Sequence, residues 1–222
     1  MLWRHGQTIW NAERRFQGQS DIPLDETGQA QAERAARLLA ALRPDLIVSS
    51  DLSRAAGTAA ALSRLTGLEV TLDKDLRERS GGCWEGLTDT EIRTRYPVEH
   101  ANWTPPDGEP SATVAERVAG ALQRAAEAVL PRGDDPPRPP RTDMAENGPG
   151  PGMTTGLAVV VSHGAALRLG MSRLLGMPEE LFGVLGPLSN CSWSVLGRRH
   201  GRWRLVEHNA GTLPEPILSD DR

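Results

Sequence analysis

Leu157-Ala158-Val159-Val160-Val161-Ser162-His163-Gly164-Ala165-Ala166-Leu167 decides the fold. Leu157–Ser162 is the most apolar run of the chain, and a continuous run of this kind marks a strand buried on both faces. Alanine- and leucine-rich sequence follows at once and predicts a helix over Ala165–Leu175 that ends at Gly176. A buried strand feeding directly into a helix is the building unit of a parallel sheet covered on both sides.

The same unit recurs upstream. Leu46-Ile47-Val48 reads as a short buried strand, followed by a helix over Leu52–Leu65 that stops at Gly67. Met1–Arg4 reads as the end of a first strand, and Thr27–Leu42 as a strong helix closed by Pro44. Leu68–Leu72 and Leu76–Glu78 read as extended. Thr88-Asp89-Thr90-Glu91 has the form of a capping box and predicts a short helix to Tyr96, before Pro97. Thr113-Val114-Ala115-Glu116 repeats that form and predicts a long helix to Leu130. Asn190–Leu196 and Arg202–Glu207 flank a turn at Arg199-His200-Gly201 and predict an antiparallel pair. The expected fold is one α/β domain over residues 1–222, in three layers, α/β/α. Its central sheet is mostly parallel with an antiparallel pair at one edge, and elements within 80–130 build a small lid. Pro131–Gly156 is rich in Pro and Gly and poor in apolar side chains, and is expected to be a disordered insertion.

Composition narrows the partners. The chain has 222 residues, 38% of them hydrophobic and 24% charged, as expected of a soluble globular protein. A net charge of −4 argues against nucleic acid, which needs a basic face, but leaves room for a small anion held by a few arginines. Cys83 and Cys191 are the only cysteines and read as free thiols of a reducing compartment. No run approaches membrane-spanning length and no signal-peptide pattern opens the chain, so a cytoplasmic protein without a membrane partner is expected. His100, His200 and His208 lack ligand spacing, so neither metal nor cofactor is expected. Oligomeric state is open, a homodimer included.

Ligands of open α/β sheets bind at the carboxyl ends of the strands. Three distant segments end strands there: Arg4-His5-Gly6, Ser50–Arg54 and Ser162-His163-Gly164. Guanidinium forks match phosphate oxygens, and a helix starting after His163 offers free N–H groups to an anion. A histidine attacks phosphorus if one ring nitrogen is neutral and the other is held as a donor, for example by a backbone carbonyl. Gly6 leaves space beside it. The departing oxygen needs a proton. Glu78 is the first candidate donor, since an extended Leu76–Glu78 would turn it inward, away from Arg77 and Arg79, where burial keeps a carboxyl protonated. Glu85 is the second. Arg54 in the first turn of a helix conflicts with the helix dipole unless an anion sits above it. Trp103 is a candidate for the cleft wall. Arg14-Arg15 is a solvated pair or a second anion contact.

The set Arg4-His5-Gly6-Gln7-Thr8, Trp10-Asn11, Gly18-Gln19-Ser20-Asp21, Ser49-Ser50-Asp51-Leu52 with Arg54-Ala55, Leu76-Arg77-Glu78, Trp84-Glu85-Gly86, Ser162-His163-Gly164 and Asn190-Cys191-Ser192 resembles the histidine phosphatase superfamily, in its phosphoglycerate-mutase-like branch. The resemblance spans nearly the whole chain apart from Pro131–Gly156. It implies that His5 is the phosphorylated nucleophile and Glu78 the proton donor. It also implies that Arg4, Arg54, His163 and Gly164 cradle the phosphate of a small metabolite with help from Asn11, and that no metal takes part. Arg15-Phe16-Gln17-Gly18-Gln19 is similar, more weakly, to the glucosyl-3-phosphoglycerate phosphatases of actinobacteria, which puts Gln17 in the substrate pocket. Mutases of the branch usually carry Gly-Trp where this chain has Gly18-Gln19, and their paired-arginine lid segment is not found here. A phosphomonoesterase is therefore the leading expectation, with a phosphoglycerate mutase or an inactive phosphate-binding interaction module as alternatives.

Overall fold

The computed structural model describes residues 1–130 and 156–212. Except for Gly156, the expected insertion at 131–156 lies outside the described residues. The described part is a six-stranded sheet between two helical layers. Its elements are β1 (Leu2–Arg4), α1 (Ile9–Ala12), α2 (Glu26–Ala41), β2 (Leu46–Ser49), α3 (Ser53–Thr66), β3 (Val70–Leu72), α4 (Asp89–Arg95), α5 (Pro97–Ala101), α6 (Ser111–Ala128), β4 (Ala158–Ser162), α7 (Gly164–Leu174), β5 (Trp193–Arg199) and β6 (Arg202–Ala210). The strand order is β3-β2-β4-β1-β5-β6. The first four of these run parallel, while β5 pairs antiparallel with β1 and β6 antiparallel with β5. No helix among the described residues is long and apolar enough to cross a membrane.

The alternation of side chains along the strands builds the two cores. Leu2, Val48 and Val160 face the layer of α6 and α7. Trp3, Ile47, Val159 and Val161 face α2 and α3, whose buried alanines (Ala32, Ala35, Ala36, Ala55 and Ala59) leave little more than backbone between helix and sheet. Asp25 caps α2, Gly67 in the left-handed conformation ends α3, and the Thr88–Glu91 capping box forms as read from sequence.

Local departures have local causes. The second capping signal does not act: α6 starts at Ser111 behind Pro110, because proline presets the backbone for a helix start. Residues 74–76 form a turn of 3-10 helix, which takes Leu76 out of the extended piece expected over Leu76–Glu78, since Asp73 accepts the Asp75 N–H and closes the chain on itself. That turn is pinned from α6. Arg117 donates to the carbonyls of Asp75, Arg77 and Glu78 at 2.8, 2.6 and 3.0 Å, while Glu109 holds its guanidinium in two bonds of 2.7 Å.

The loop after β1 is fixed by bare backbone. A Cβ on Gly6 would stand 2.4 Å from the Gly28 carbonyl oxygen, and one on Gly28 would stand 2.0 Å from that of Gln7. The role of Gly6 is thus contact with the start of α2. Gln7 completes the joint, donating from its backbone to Gln31 and from its side chain to Asp25. Gly28→Ala should destabilise the fold by about 3 kcal/mol, as for an overpacked site with no room to relax. Urea unfolding measures it, and a change below about 0.5 kcal/mol would refute the tight joint.

Candidate active site

Strand pairing carries past the strand ends and sets the site. Arg4 pairs with Ser162, and the ladder continues as His5 N–H to Ser162 O at 3.0 Å and Ser50 N–H to Val161 O at 2.9 Å. Ser50, His163 and His5 therefore follow the adjacent strands β2, β4 and β1, side by side. The rings of His5 and His163 lie 5.1 Å apart, centroid to centroid, as the sheet order anticipated. Both are almost wholly buried, at 2% and 0% exposure.

His5 Nδ1 lies 2.7 Å from the Gly6 carbonyl. A carbonyl only accepts, so Nδ1 carries the proton and Nε2 keeps its lone pair. Burial, then the positive charges of Arg54 and Arg4, hold the His5 pKa well below its usual value despite the Gly6 bond. His163 is lowered likewise, by burial first and then by Arg54, His5, Arg4 and Arg117. The site at neutral pH is therefore two neutral imidazoles among guanidinium cations.

Those cations are fixed by backbone carbonyls. Arg54 Nη1 donates to Ser20 O at 2.8 Å and Nη2 to Gly18 O at 2.7 Å, and Arg4 Nη1 donates to Leu188 O. Among the described residues, buried Arg4 Nε has no partner. Asn11 Oδ1 accepts from the Thr8 backbone N–H and from Asn190, which orients the amide and leaves its buried Nδ2 without a partner among the described residues. Gln17 Oε1 accepts from Thr8 Oγ1 at 3.0 Å, so its NH2 end is the one left to the cleft. The cleft is open to solvent, and its walls include Arg4, His5, Gln17, Arg54, Glu78 and Ala165.

Phe16 and Arg79 also line it, and both were missed in the sequence. Arg79 was expected to point away. It turns inward instead, and its guanidinium donates to the carbonyls of Glu109 and Trp103. Trp103 is not on the cavity wall; it stacks behind Phe16, at 6.1 Å, and on Trp84, at 5.2 Å. Arg15 turns to Glu13 and the Gly86 carbonyl, which leaves the second-anion reading of Arg14-Arg15 without support.

Two carboxylates are candidates for the acid. Glu85 is engaged elsewhere: it accepts from the backbone N–H groups of Gln19, Ser20 and Gly81 and from the Ser20 hydroxyl, and so shapes the turn that holds Arg54. A Cβ on Gly18, at φ +53°, would collide with it at 2.1 Å. Glu78 faces the cavity, half-buried rather than interior, and accepts from Ala165 N, Ala166 N and Arg79 N at 3.1, 2.9 and 2.7 Å. The Ala165 and Ala166 N–H groups of α7 expected to meet an anion are therefore given to Glu78. Arg77 forms a bidentate pair with Asp51, at 2.7 and 2.6 Å, and lowers the Asp51 pKa, tying the Glu78 segment to the Ser50–Arg54 turn. No three His, Cys, Asp or Glu side chains among the described residues are grouped to hold a metal.

A six-stranded α/β sandwich with paired histidines at its strand ends defines the class of protein. The Histidine phosphatase superfamily (branch 1) matches over residues 1–211, and the chain belongs to that superfamily. It is similar to the glucosyl-3-phosphoglycerate phosphatase of Mycolicibacterium vanbaalenii, 37% identical over 95% of this chain and 93% of that one. It is also similar to the probable phosphoglycerate mutase GpmB of Cronobacter sakazakii, 36% identical over 91% and 86%. Among solved structures, a mycobacterial glucosyl-3-phosphoglycerate phosphatase complexed with VO3 superposes with a TM-score of 0.80, at 36% identity over 95% of this chain and 98% of that one.

The two lowered imidazoles give stability a defined pH dependence. In the unfolded chain they titrate near 6.5 and bind protons that the folded state refuses. Their contribution is full above about pH 6.5 and is lost as pH falls below it, by up to about 1.4 kcal/mol per pH unit for each ring. Denaturation at pH 7.5, 6.5 and 5.5 should show this fall, and His5→Asn and His163→Asn should each flatten it. Equal slopes in all three proteins would refute neutral burial of the pair.

Proposed function

We propose that this protein is a phosphomonoester hydrolase that works through a phosphohistidine on a small phosphorylated metabolite. The observation that carries the reading is the pair of neutral, buried imidazoles 5.1 Å apart between fixed guanidiniums. His5 Nε2 attacks phosphorus in line while Nδ1–H stays on the Gly6 carbonyl, which stabilises the ring as it gains charge. Arg4 and Arg54 take up the charge of the equatorial oxygens, with His163, the Gly164 N–H and Asn11 Nδ2 as further donors. Glu78 protonates the departing alcohol. Its N–H donors favour the ionised form, and the negative charge of the arriving phosphate opposes them by drawing a proton onto the carboxylate. In the second half, Glu78 takes a proton from water as that water attacks the phosphohistidine, and His5 leaves neutral.

Gln17 and Phe16 contact the leaving group, and the 80–109 part of the expected lid, linked to the cleft through Arg79, limits its size. The names of the relatives support a sugar or glycerate phosphate, glucosyl-3-phosphoglycerate first among them. The protein works in the cytoplasm. Metabolite phosphates assayed in EDTA should release inorganic phosphate, and His5→Ala should abolish release. Glu78→Gln should slow alkyl phosphates about 10²- to 10³-fold and aryl phosphates far less, because only the poor leaving group needs the proton. Equal losses on both would remove Glu78 from the acid role. With 3-phosphoglycerate, with or without 2,3-bisphosphoglycerate, free phosphate should form; isomerisation without phosphate release would favour the mutase reading.

A further inference from the structure

Ser50 was given no part in the chemistry just described, yet it is fully buried and its hydroxyl lies 2.9 Å from His163 Nε2. Its other hydrogen bond comes from the Leu52 backbone N–H, at 3.3 Å, which uses the oxygen as an acceptor. The hydroxyl proton still needs somewhere to go, because a buried O–H without an acceptor costs about 1–3 kcal/mol. Among the described residues the His163 ring nitrogen is its one acceptor. Ser50 O–H must then donate to Nε2, and a neutral imidazole that accepts at Nε2 carries its own proton at Nδ1. His163 Nδ1 is buried and has no partner among the described residues.

We infer that Ser50 is a positioning residue that fixes the tautomer of His163, so that the ring presents Nδ1–H, and only Nδ1–H, to a phosphoryl oxygen. The phosphoryl half of this statement rests on the hydrolase reading; the tautomer does not. The two neighbouring rings are then set in opposite senses. In His5 the proton goes to a backbone carbonyl and the lone pair is left for attack. In His163 the lone pair goes to a hydroxyl and the proton is left for the anion. A lone pair at His163 Nδ1 would repel a phosphate oxygen, and a charged ring is disfavoured by burial beside Arg54 and Arg4. A neutral donor of fixed direction is what remains, and it needs Ser50 to hold it.

The tautomer is read by NMR of the full chain labelled with 15N in histidine, without ligand, at neutral pH. Wild type should show His163 protonated at Nδ1 and not at Nε2. Ser50→Ala should move the ring proton toward Nε2, and Ser50→Thr, which restores the hydroxyl, should return it to Nδ1. Inorganic phosphate should bind Ser50→Ala about 10- to 100-fold more weakly than wild type and Ser50→Thr nearly as well as wild type, the loss expected for one donor to a charged group. A wild-type His163 protonated at Nε2 overturns the inference, as does an unchanged tautomer in Ser50→Ala. A tautomer that moves while phosphate affinity stays the same overturns the donor role. Absence of turnover on every phosphate ester would instead refute the hydrolase reading, and the ligand-free spectrum would still decide Ser50.

Discussion

The parallel pairing of β1 with β4 is the constraint on which the site depends. With Arg4 opposite Ser162, the residues one step further are His5 and His163, and they share the same end of the sheet. The pairing is held by the two cores, because a slip of one residue would send Trp3 to the face of Leu2 and every neighbour with it. Register specified by apolar packing thus becomes the spacing between two imidazoles. The adjacent pairing of β2 with β4 extends the row to Ser50.

Around that rigid row the remaining groups are held by long side chains acting on backbone. Arg117 reaches from α6 to three carbonyls of the 75–78 turn. Asp51 and Arg77 join that turn to the start of α3. Glu85 gathers N–H groups from the 19–20 and 81 backbones, and Arg54 closes on the carbonyls of the turn that Glu85 shapes. Each arm satisfies polar backbone that no regular ladder pairs, and each leaves a cavity-lining group with little freedom.

What the sequence made legible follows from this division. Strand ends are written in local pattern: Leu157–Ser162 before His163 and Leu46–Val48 before Ser50 announce themselves by an apolar run and a following helix, so the convergence of His5, Arg54 and His163 could be read in advance. The arms are tertiary. Glu85 meets Gln19 across 66 residues, and nothing in Trp84-Glu85-Gly86 distinguishes a carboxylate aimed at a loop from one aimed at a cleft. The inward turn of Arg79 is met by the Glu109 and Trp103 carbonyls, 30 and 24 residues away, which alternation along Leu76–Glu78 does not register. Ser50 stood in the quoted Ser49-Ser50-Asp51 segment, but its part depends on which nitrogen of a distant ring it meets.

The joint where Gly6 and Gly28 touch backbone to backbone divides the molecule by its tolerance for change. On the His5 side two main chains abut with no side chain between them, so no substitution can trade one fit for another there. On the Glu78 side, contact is made through side-chain arms that can be lengthened, shortened or redirected while the main chain stays put. Reshaping the cleft is therefore a matter of rewriting Phe16, Arg79 and the 102–109 loop, with the floor beneath His5 left as it stands.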